Sequence, residues 1–463
     1  MMTKTVQVRE VALEALLEIF ENGKLCHLVM GQLLRKYQYL EKQERAFLSR
    51  LVEGTVERVI TLDYVINQYS KKISVEKMKP VVRNLLRMGV YQIFYMDRVP
   101  DSAACNETVK LAVQKGFSGL KGFINGILRT VAREKERIVF PKKEEDLLEY
   151  YSVVYSVPKW IVEQWMVQYG EEITEKMLCD GLETKDVTVR IRAGKSERGQ
   201  VLERMVKEAA VKEISWYSEA VILSGYDTLE ELESFQNGDF QVQDISSMMA
   251  AEACGVKEGD CILDVCAAPG GKSMHLADKL HGTGRVEARD LTDYKVGLIE
   301  ENRKRCKVDN LFVKRWDALE FDDTMEAAAD VVVADLPCSG LGVVGRKNDL
   351  KYKSNLKGQE ELAVLQRRIL GVVSSYVKPG GVLLYSTCTT NRKENQENVA
   401  WFLKEHPCFF LEDLTNYLPK KIVEAADPLL HLEEQISSGM VGLLQGVFPS
   451  DGFFLARLRR KEE

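Results

Sequence analysis

Apolar residues recur at helical spacing from the start of the chain, with Val8, Val11, Ala12, Ala15, Leu16, Ile19 and Phe20 on one face of a first helix. A stripe of that width faces a core rather than water. Phe47, Leu48, Leu51, Val56, Val59, Ile60, Leu62, Val65 and Ile66 continue the pattern, and the run 81–95 reads as one long amphipathic helix closed off by Pro100, because proline cannot donate within a helix. Two more helices follow, opening at Asn106 and Gly122, so residues 5 to about 137 predict an all-α bundle. After a charged linker at 141–146 the period changes. A helix begins near Tyr155, followed by an alternating strand at 187–192, a helix at about 196–210 and a strand at 220–223. That order predicts a small α+β subdomain.

Beyond residue 240 short apolar runs at 261–266, 285–289, 312–315, 330–334 and 381–386 alternate with helical stretches such as 273–280, and a last strand is read at 452–458. Continuous apolar strands separated by helices predict a doubly wound, Rossmann-like α/β domain, whose ligands gather at the carboxyl ends of the strands. The segment 240–248 leads into the helix before this sheet, with Ser246 and Ser247 as its candidate caps. Three domains are expected, over residues 1–140 (helical), 150–238 (small α+β) and 239–461 (α/β), in keeping with a chain of 463 residues.

Composition narrows the class. Charged residues make up 29% and hydrophobic residues 45%, as in an ordinary globular protein. No apolar run is long enough to span a bilayer and the first nine residues lack a signal peptide's apolar region, which predicts a cytoplasmic location and no membrane partner. Ten cysteines occur without a Cys-x-x-Cys pair, which argues against a disulfide framework and a zinc site, and no metal is expected. The net charge of −6 conceals an asymmetry: residues 1–140 hold 23 Lys and Arg against 15 Asp and Glu, a surplus of 8, which leaves −14 for the remainder. A basic front on an acidic chain fits a nucleic-acid-binding arm joined to an enzyme, as well as a mixed-charge helical surface without a partner.

Candidate chemistry lies at the strand ends. The turn Cys266-Ala267-Ala268-Pro269-Gly270-Gly271-Lys272 runs from an apolar strand into a helix. Glycines without a Cβ let a ligand approach the backbone, and the helix start offers free N–H groups, so a nucleotide-type ligand is expected there. The spacing is not the Gly-x-Gly-x-x-Gly of dinucleotide sites. Asp290 ends the next strand, placed to accept from both ribose hydroxyls, and Asp317 follows the one after, placed to accept from an adenine amino group. Asp335-Leu-Pro-Cys338-Ser-Gly and Thr387-Cys388-Thr389 then bring two cysteines to strand ends in one crevice. A pair of thiols at strand ends points to covalent chemistry by a cysteine nucleophile, with a carboxyl such as Asp335 at hand to move a proton.

The Ala-Ala-Pro-Gly-Gly-Lys, Asp-x-Pro-Cys-Ser-Gly and Thr-Cys motifs, in this order, resemble the S-adenosylmethionine (SAM) dependent RNA cytosine-5 methyltransferases. The resemblance implies SAM bound by residues 266–272, Asp290, Asp317 and Asp335, with Cys388 as nucleophile, Cys338 in product release and Asp335 at the cytosine N3. Thr389 replaces the family's usual Ser. DNA cytosine-5 enzymes instead attack with the Pro-Cys cysteine, so the opposite assignment stays open. The front, through Leu85-Leu-Arg-Met-Gly-Val-Tyr-Gln92, Asn106-Glu-Thr-Val109 and Phe123-Ile-Asn-Gly-Ile-Leu-Arg129, resembles the NusB-like RNA-binding domain found on some ribosomal RNA methyltransferases. The residues before the catalytic part resemble a family segment with a common Arg-Val-Asn triplet, here Arg190, Ile191 and Arg192. Together these imply a monomeric enzyme methylating a cytosine of 16S ribosomal RNA, free or in an assembling small subunit. Transfer RNA or another ribosomal site, or a non-catalytic RNA-binding assembly factor, are the alternatives. Arg346, Lys347, Lys351, Lys353, Arg367 and Arg368 are candidates for a phosphate track.

Overall fold

The computed structural model describes residues 7–192 and 197–462. The first residues of the expected bundle and residue 196, where the expected helix at 196–210 would open, lie outside the described residues. The chain divides into two units, residues 1–182 with 346–353, and residues 183–345 with 354–463.

In the first unit the apolar stripes become helices Val8–Phe20, Cys26–Lys36, Lys42–Glu57, Val59–Tyr69, Pro80–Tyr95, Asp101–Gln114 and Lys121–Glu134. Leu16, Leu51, Leu85, Leu86 and Leu128 are fully buried in their shared core. Pro80 opens its helix where no N–H is needed, and the helix ends at Tyr95, ahead of Pro100. Helices Leu147–Tyr155 and Lys159–Asp180 belong to this unit, whereas the expected small subdomain began at residue 150. Asp146 caps the first of them by accepting from the Glu149 N–H at 2.9 Å.

The segment 346–353 folds into this same unit although it follows the motif Asp335-Leu-Pro-Cys338 in sequence. Lys351 is 3% exposed and donates to the Glu57 carbonyl at 3.0 Å. Tyr352 donates to the same carbonyl at 2.8 Å, and Asp349 accepts from the Cys26 N–H at 2.9 Å and from Lys353 at 2.6 Å. The expectation that Lys351 lines a phosphate track is therefore corrected: its ammonium is enclosed, and burial pushes the amine down to about 7.

The second unit holds two sheets. Strands β1 (Val187–Ile191), β2 (Ala210–Glu213), β3 (Ala220–Ser224) and β4 (Phe240–Val242) form an antiparallel sheet in the order β2-β3-β1-β4. Helix Arg198–Glu208 packs on it through Val201 and Met205. The larger sheet contains β5 (Cys261–Asp264), β6 (Arg285–Asp290), β7 (Leu311–Arg315), β8 (Ala329–Asp335), β9 (Val377–Thr387), β10 (Phe409–Leu411), β11 (Met440–Leu443) and β12 (Phe453–Arg460). Its order is β10-β12-β9-β8-β5-β6-β7, with β11 paired to β12. The strands from β9 to β7 in that order run parallel, and β12 enters antiparallel to β9. This is the expected Rossmann-like architecture with an antiparallel edge, and the alternation of buried strands and helices is what dictates it.

Register then places the chemistry. Asp335 of β8 lies opposite Ser386 of β9, so the residues that leave these two strands, Cys338 and Cys388 among them, emerge at one edge of the sheet. Thr387 lies opposite Phe454 of β12, which sets Phe453 beside that edge. The helix before β5, Ile245–Cys254, is capped by Asp244, whose carboxylate accepts from the Ser246 N–H at 2.9 Å. Ser246 and Ser247 are thus not the caps: Ser246 lies within the first turn and donates its own hydroxyl to Asp244.

Candidate active site

The turn after β5 is shaped by backbone hydrogen bonds. The Ala267 N–H reaches the Arg289 carbonyl at 2.9 Å, and Gly270 N–H closes on the Ala267 carbonyl at 2.7 Å. Gly270 takes a φ of 100°, and a Cβ there would press on Ile299 at 3.2 Å, so the position needs glycine both for its backbone angle and for space. The peptide before Pro269 is cis. Asp290 accepts from the Ala268 N–H at 3.0 Å and the Leu291 N–H at 2.8 Å, and Lys295 approaches it at 3.0 Å. The carboxylate expected to meet a ribose therefore also buttresses the turn that would receive the cofactor. Asp317 lies two residues past β7 and accepts from the Leu319 N–H at 2.9 Å.

Asp264, which the sequence did not single out, ends β5 beneath this turn. It is 1% exposed, receives the Ser273 hydroxyl at 2.6 Å on one oxygen, and its Oδ1 has no partner among the described residues. Burial is the main cause that pushes this carboxyl up to about 7. With its folded value above the unfolded one, its contribution to stability is present below about pH 4 and is lost as the pH rises toward 7. A buried acceptor of this kind awaits a donor, and a donor-bearing ligand over the turn would satisfy it.

The two sulfurs predicted to converge do so: Cys338 Sγ lies 3.3 Å from Cys388 Sγ, and both residues are half-buried. The Cys338 thiol is held well above its usual range, first by its hydrogen bond to Cys388 and then by burial. Asp335 accepts from Lys272 at 2.7 Å on one oxygen and from the Ser386 hydroxyl at 2.9 Å on the other. Burial disfavours the Lys272 ammonium, but Asp335, Asp264 and Cys388 together outweigh it, so its pKa is raised. The ammonium also faces the Phe453 ring at 5.1 Å. Lys272 is thus aimed from the glycine turn into the cysteine pocket.

Several residues behind the cysteines went unnoticed in the sequence. Glu394, completely buried, accepts from the Ser339 N–H at 2.9 Å, from Gln366 at 3.0 Å, from Asn391 at 3.0 Å and from the Ser339 hydroxyl. Thr389 keeps the hydroxyl of the serine it replaces, with its Oγ1 2.8 Å from Ser339 Oγ. Asn395 clamps the second cysteine turn by accepting from Thr387 at 2.6 Å and donating to the Thr389 carbonyl at 2.9 Å. The only sequence signal for this network was a polar cluster directly after Thr-Cys-Thr. Arg190 and Arg192, the outer positions of the departed triplet, both grip Asp278 on helix Gly271–Lys279, at 2.5 and 2.7 Å. They hold the small sheet to the helix that carries Lys272.

Three backbone segments cross at the Cys388 turn. Gly342 N–H donates to the Cys388 carbonyl at 3.1 Å, and Gly452 N–H donates to the Gly342 carbonyl at 2.7 Å. A Cβ on Gly342 would overlap the Gly452 carbonyl, and backbone cannot swing away as a side chain can. Gly342→Ala is expected to destabilise the protein by about 1–3 kcal/mol, read as a lower melting temperature, and to depress activity further than the melting loss accounts for. An unchanged melt and activity would show that the crossing is slack.

The sequence matches the family described as 16S rRNA methyltransferase RsmB/F over residues 251–459. It also matches the NusB family over residues 6–133 and the RsmF/B-like, ferredoxin-like domain over residues 157–228. It is 35% identical over 461 residues to a probable ribosomal RNA small subunit methyltransferase B of Bacillus subtilis (strain 168), covering 99% of this chain and 100% of that one. With the ribosomal RNA small subunit methyltransferase B of Cronobacter sakazakii it shares 27% over 468 residues, covering 99% and 100%. Among solved structures, PH0851 superposes with a TM-score of 0.79 at 22% identity over 99% of this chain and 100% of that one. NSun6 from Pyrococcus horikoshii, solved with SFG, superposes with a TM-score of 0.56 at 22% identity over 66% and 98%. At these identities the two structures establish the fold.

Proposed function

We propose, from the premise that this chain belongs to the ribosomal RNA small subunit methyltransferase B family, that it methylates C5 of one cytosine in 16S ribosomal RNA through a covalent bond from Cys388 to C6. The observation that carries this reading is the pair of sulfurs 3.3 Å apart beside the Lys272–Asp335 ion pair.

SAM would be held by residues 266–272 with Asp290 and Asp317, and the crevice suits such a group: it offers a glycine turn in which a Cβ is excluded and a buried oxygen of Asp264 without a partner. Bound there, SAM supplies a methyl group on a sulfonium, an electrophile that an unactivated cytosine C5 does not attack. The chain's own residues provide the activation. The Cys388 thiolate adds its electron pair to C6, the ring double bond shifts its pair toward N3 and C5, and C5 becomes the nucleophile. Asp335 relays a proton from the Lys272 ammonium against it to N3, leaving Lys272 neutral and cancelling the charge that develops on the ring. Afterwards the C5 proton must leave so that the C6–S bond can break and return its pair to Cys388.

Cys338 fits that last step. While Cys388 is a thiolate, the neighbouring sulfur stays a neutral hydrogen-bond donor, consistent with its raised pKa. Once Cys388 is alkylated the negative charge beside Cys338 disappears, its own proton is released more easily, and it becomes a base at the right place.

Incubating the full chain with 16S ribosomal RNA and methyl-labelled SAM tests the reading. Label is expected in 5-methylcytosine at a single position. Label in adenine, or none in RNA, would overturn it, and label appearing only with transfer RNA would move the substrate elsewhere.

A further inference from the structure

Glu219, Glu252 and His275 bring three ligand atoms together beside helix Gly271–Lys279, which carries His275. Glu219 precedes β3 of the small sheet, Glu252 lies on helix Ile245–Cys254, and His275 stands three residues after Lys272. His275 is completely buried, and neither of its ring nitrogens has a hydrogen-bond partner among the described residues. Its Nε2 lies 3.4 Å from Glu219 Oε2 and 3.4 Å from Glu252 Oε1.

Those two distances are informative. An imidazole N–H bonded to a carboxylate settles at about 2.7–3.2 Å, and here two carboxylates stand off at equal, longer range. With zinc–nitrogen and zinc–oxygen bonds of about 2.0–2.2 Å, neighbouring ligand atoms of a tetrahedral site stand about 3.3–3.6 Å apart. A buried imidazole whose nitrogens make no hydrogen bond among the described residues, with two carboxylate oxygens converging on its Nε2, forms an N/O donor set suited to a first-row divalent cation. Lys279 donates to Glu252 Oε2 at 2.7 Å and to Oε1 at 2.9 Å, and Tyr217 donates to Oε1 at 2.9 Å, so an ion that takes Oε1 replaces one of these donors there. They fix the carboxylate's orientation and leave the cluster one negative charge that an ion would answer. Glu219 is 44% exposed and gives the ion a way in.

We propose that Glu219, Glu252 and His275 bind one zinc ion, which pins the small antiparallel sheet to the helix carrying Lys272 and Ser273. The expectation of no metal came from cysteine spacing, and this set uses no cysteine. The role is structural: the site lies outside the proposed transfer chemistry and braces the helix that presents Lys272.

The test uses the full chain stripped with a chelator, then titrated with zinc alone by calorimetry, with melting curves alongside. One equivalent is expected to bind and raise the melting temperature. Glu219→Gln, at a half-exposed position, is expected to fold normally and bind at least about 10-fold more weakly, and His275→Gln to abolish binding. Cobalt in place of zinc should give tetrahedral ligand-field bands without thiolate charge transfer, which separates this site from the ten cysteines. Absence of stoichiometric binding, thiolate bands, or unchanged affinity in Glu219→Gln would overturn the proposal. So would a melting temperature that follows pH but not zinc, the behaviour of an imidazolium shared by two glutamates.

Discussion

Replacing Cys388 with alanine is expected to lower methyl transfer to cytosine by about 10⁴-fold or more, since in the proposed mechanism it removes the nucleophile and with it the step on which the rest depends. Cys338→Ala should fail differently. The C6–S bond still forms, but the group poised to take the C5 proton is missing, so protein and RNA accumulate as an adduct. A denaturing gel reads the difference directly: a slow band carrying both RNA and protein for Cys338→Ala, and none for Cys388→Ala or for the double variant. The sulfurs are 3.3 Å apart, so either one can reach the same ring carbon, and geometry alone does not choose between them. The choice follows the resemblance of the Thr387-Cys388 turn to the RNA cytosine-5 methyltransferases, and the adduct experiment decides it. If the adduct appears with Cys388→Ala instead, the roles are exchanged.

The second large effect is expected at the Lys272–Asp335 pair. The ammonium is 12% exposed and the carboxylate 27%, so Asp335→Ala leaves a largely buried charge without its counterion, at a cost of about 3 kcal/mol or somewhat more. Methyl transfer should fall by about 10²–10⁴-fold, because the group proposed to meet N3 is gone as well. A paired variant separates these two losses. Lys272→Met with Asp335→Leu removes both charges, and much of the stability should return because no buried ion is left unpaired, while activity stays low. Melting temperature and initial rate, measured on all three proteins, check this. A single variant that melts and methylates like the parent would show that the pair contributes to neither.

Much of this site was legible along the chain. The glycine turn is written in consecutive residues, and Gly270 has its φ of 100° because the strand-to-helix connection demands it. The bundle helices follow from a 3.6-residue period that local sequence displays. The meeting of Cys338 and Cys388, fifty positions apart, was inferable from two apolar strands that belong side by side in a parallel sheet.

Other features were not legible, for one physical reason: whether a polar side chain is solvated or enclosed depends on residues far away in sequence. Lys351 looked like one of a run of exposed cations and is buried against Glu57. Ser246 and Ser247 had the composition of helix caps, yet Asp244 precedes them and takes the role. Glu394 looked like an ordinary charge in a polar stretch and is the acceptor that holds the Ser339 turn.

The sequence by itself determined the order of elements, the glycine turn and the identity of the two thiols, because these rest on local periodicity and on chemistry carried by consecutive residues. Only the tertiary structure decided the rest. The Asp335–Ser386 register sets how closely the sulfurs approach, Lys272 is paired with Asp335, and His275 is shut away facing two glutamates. Each of these is a distance between strands and helices remote in sequence, fixed by how the sheet and its covering helices pack.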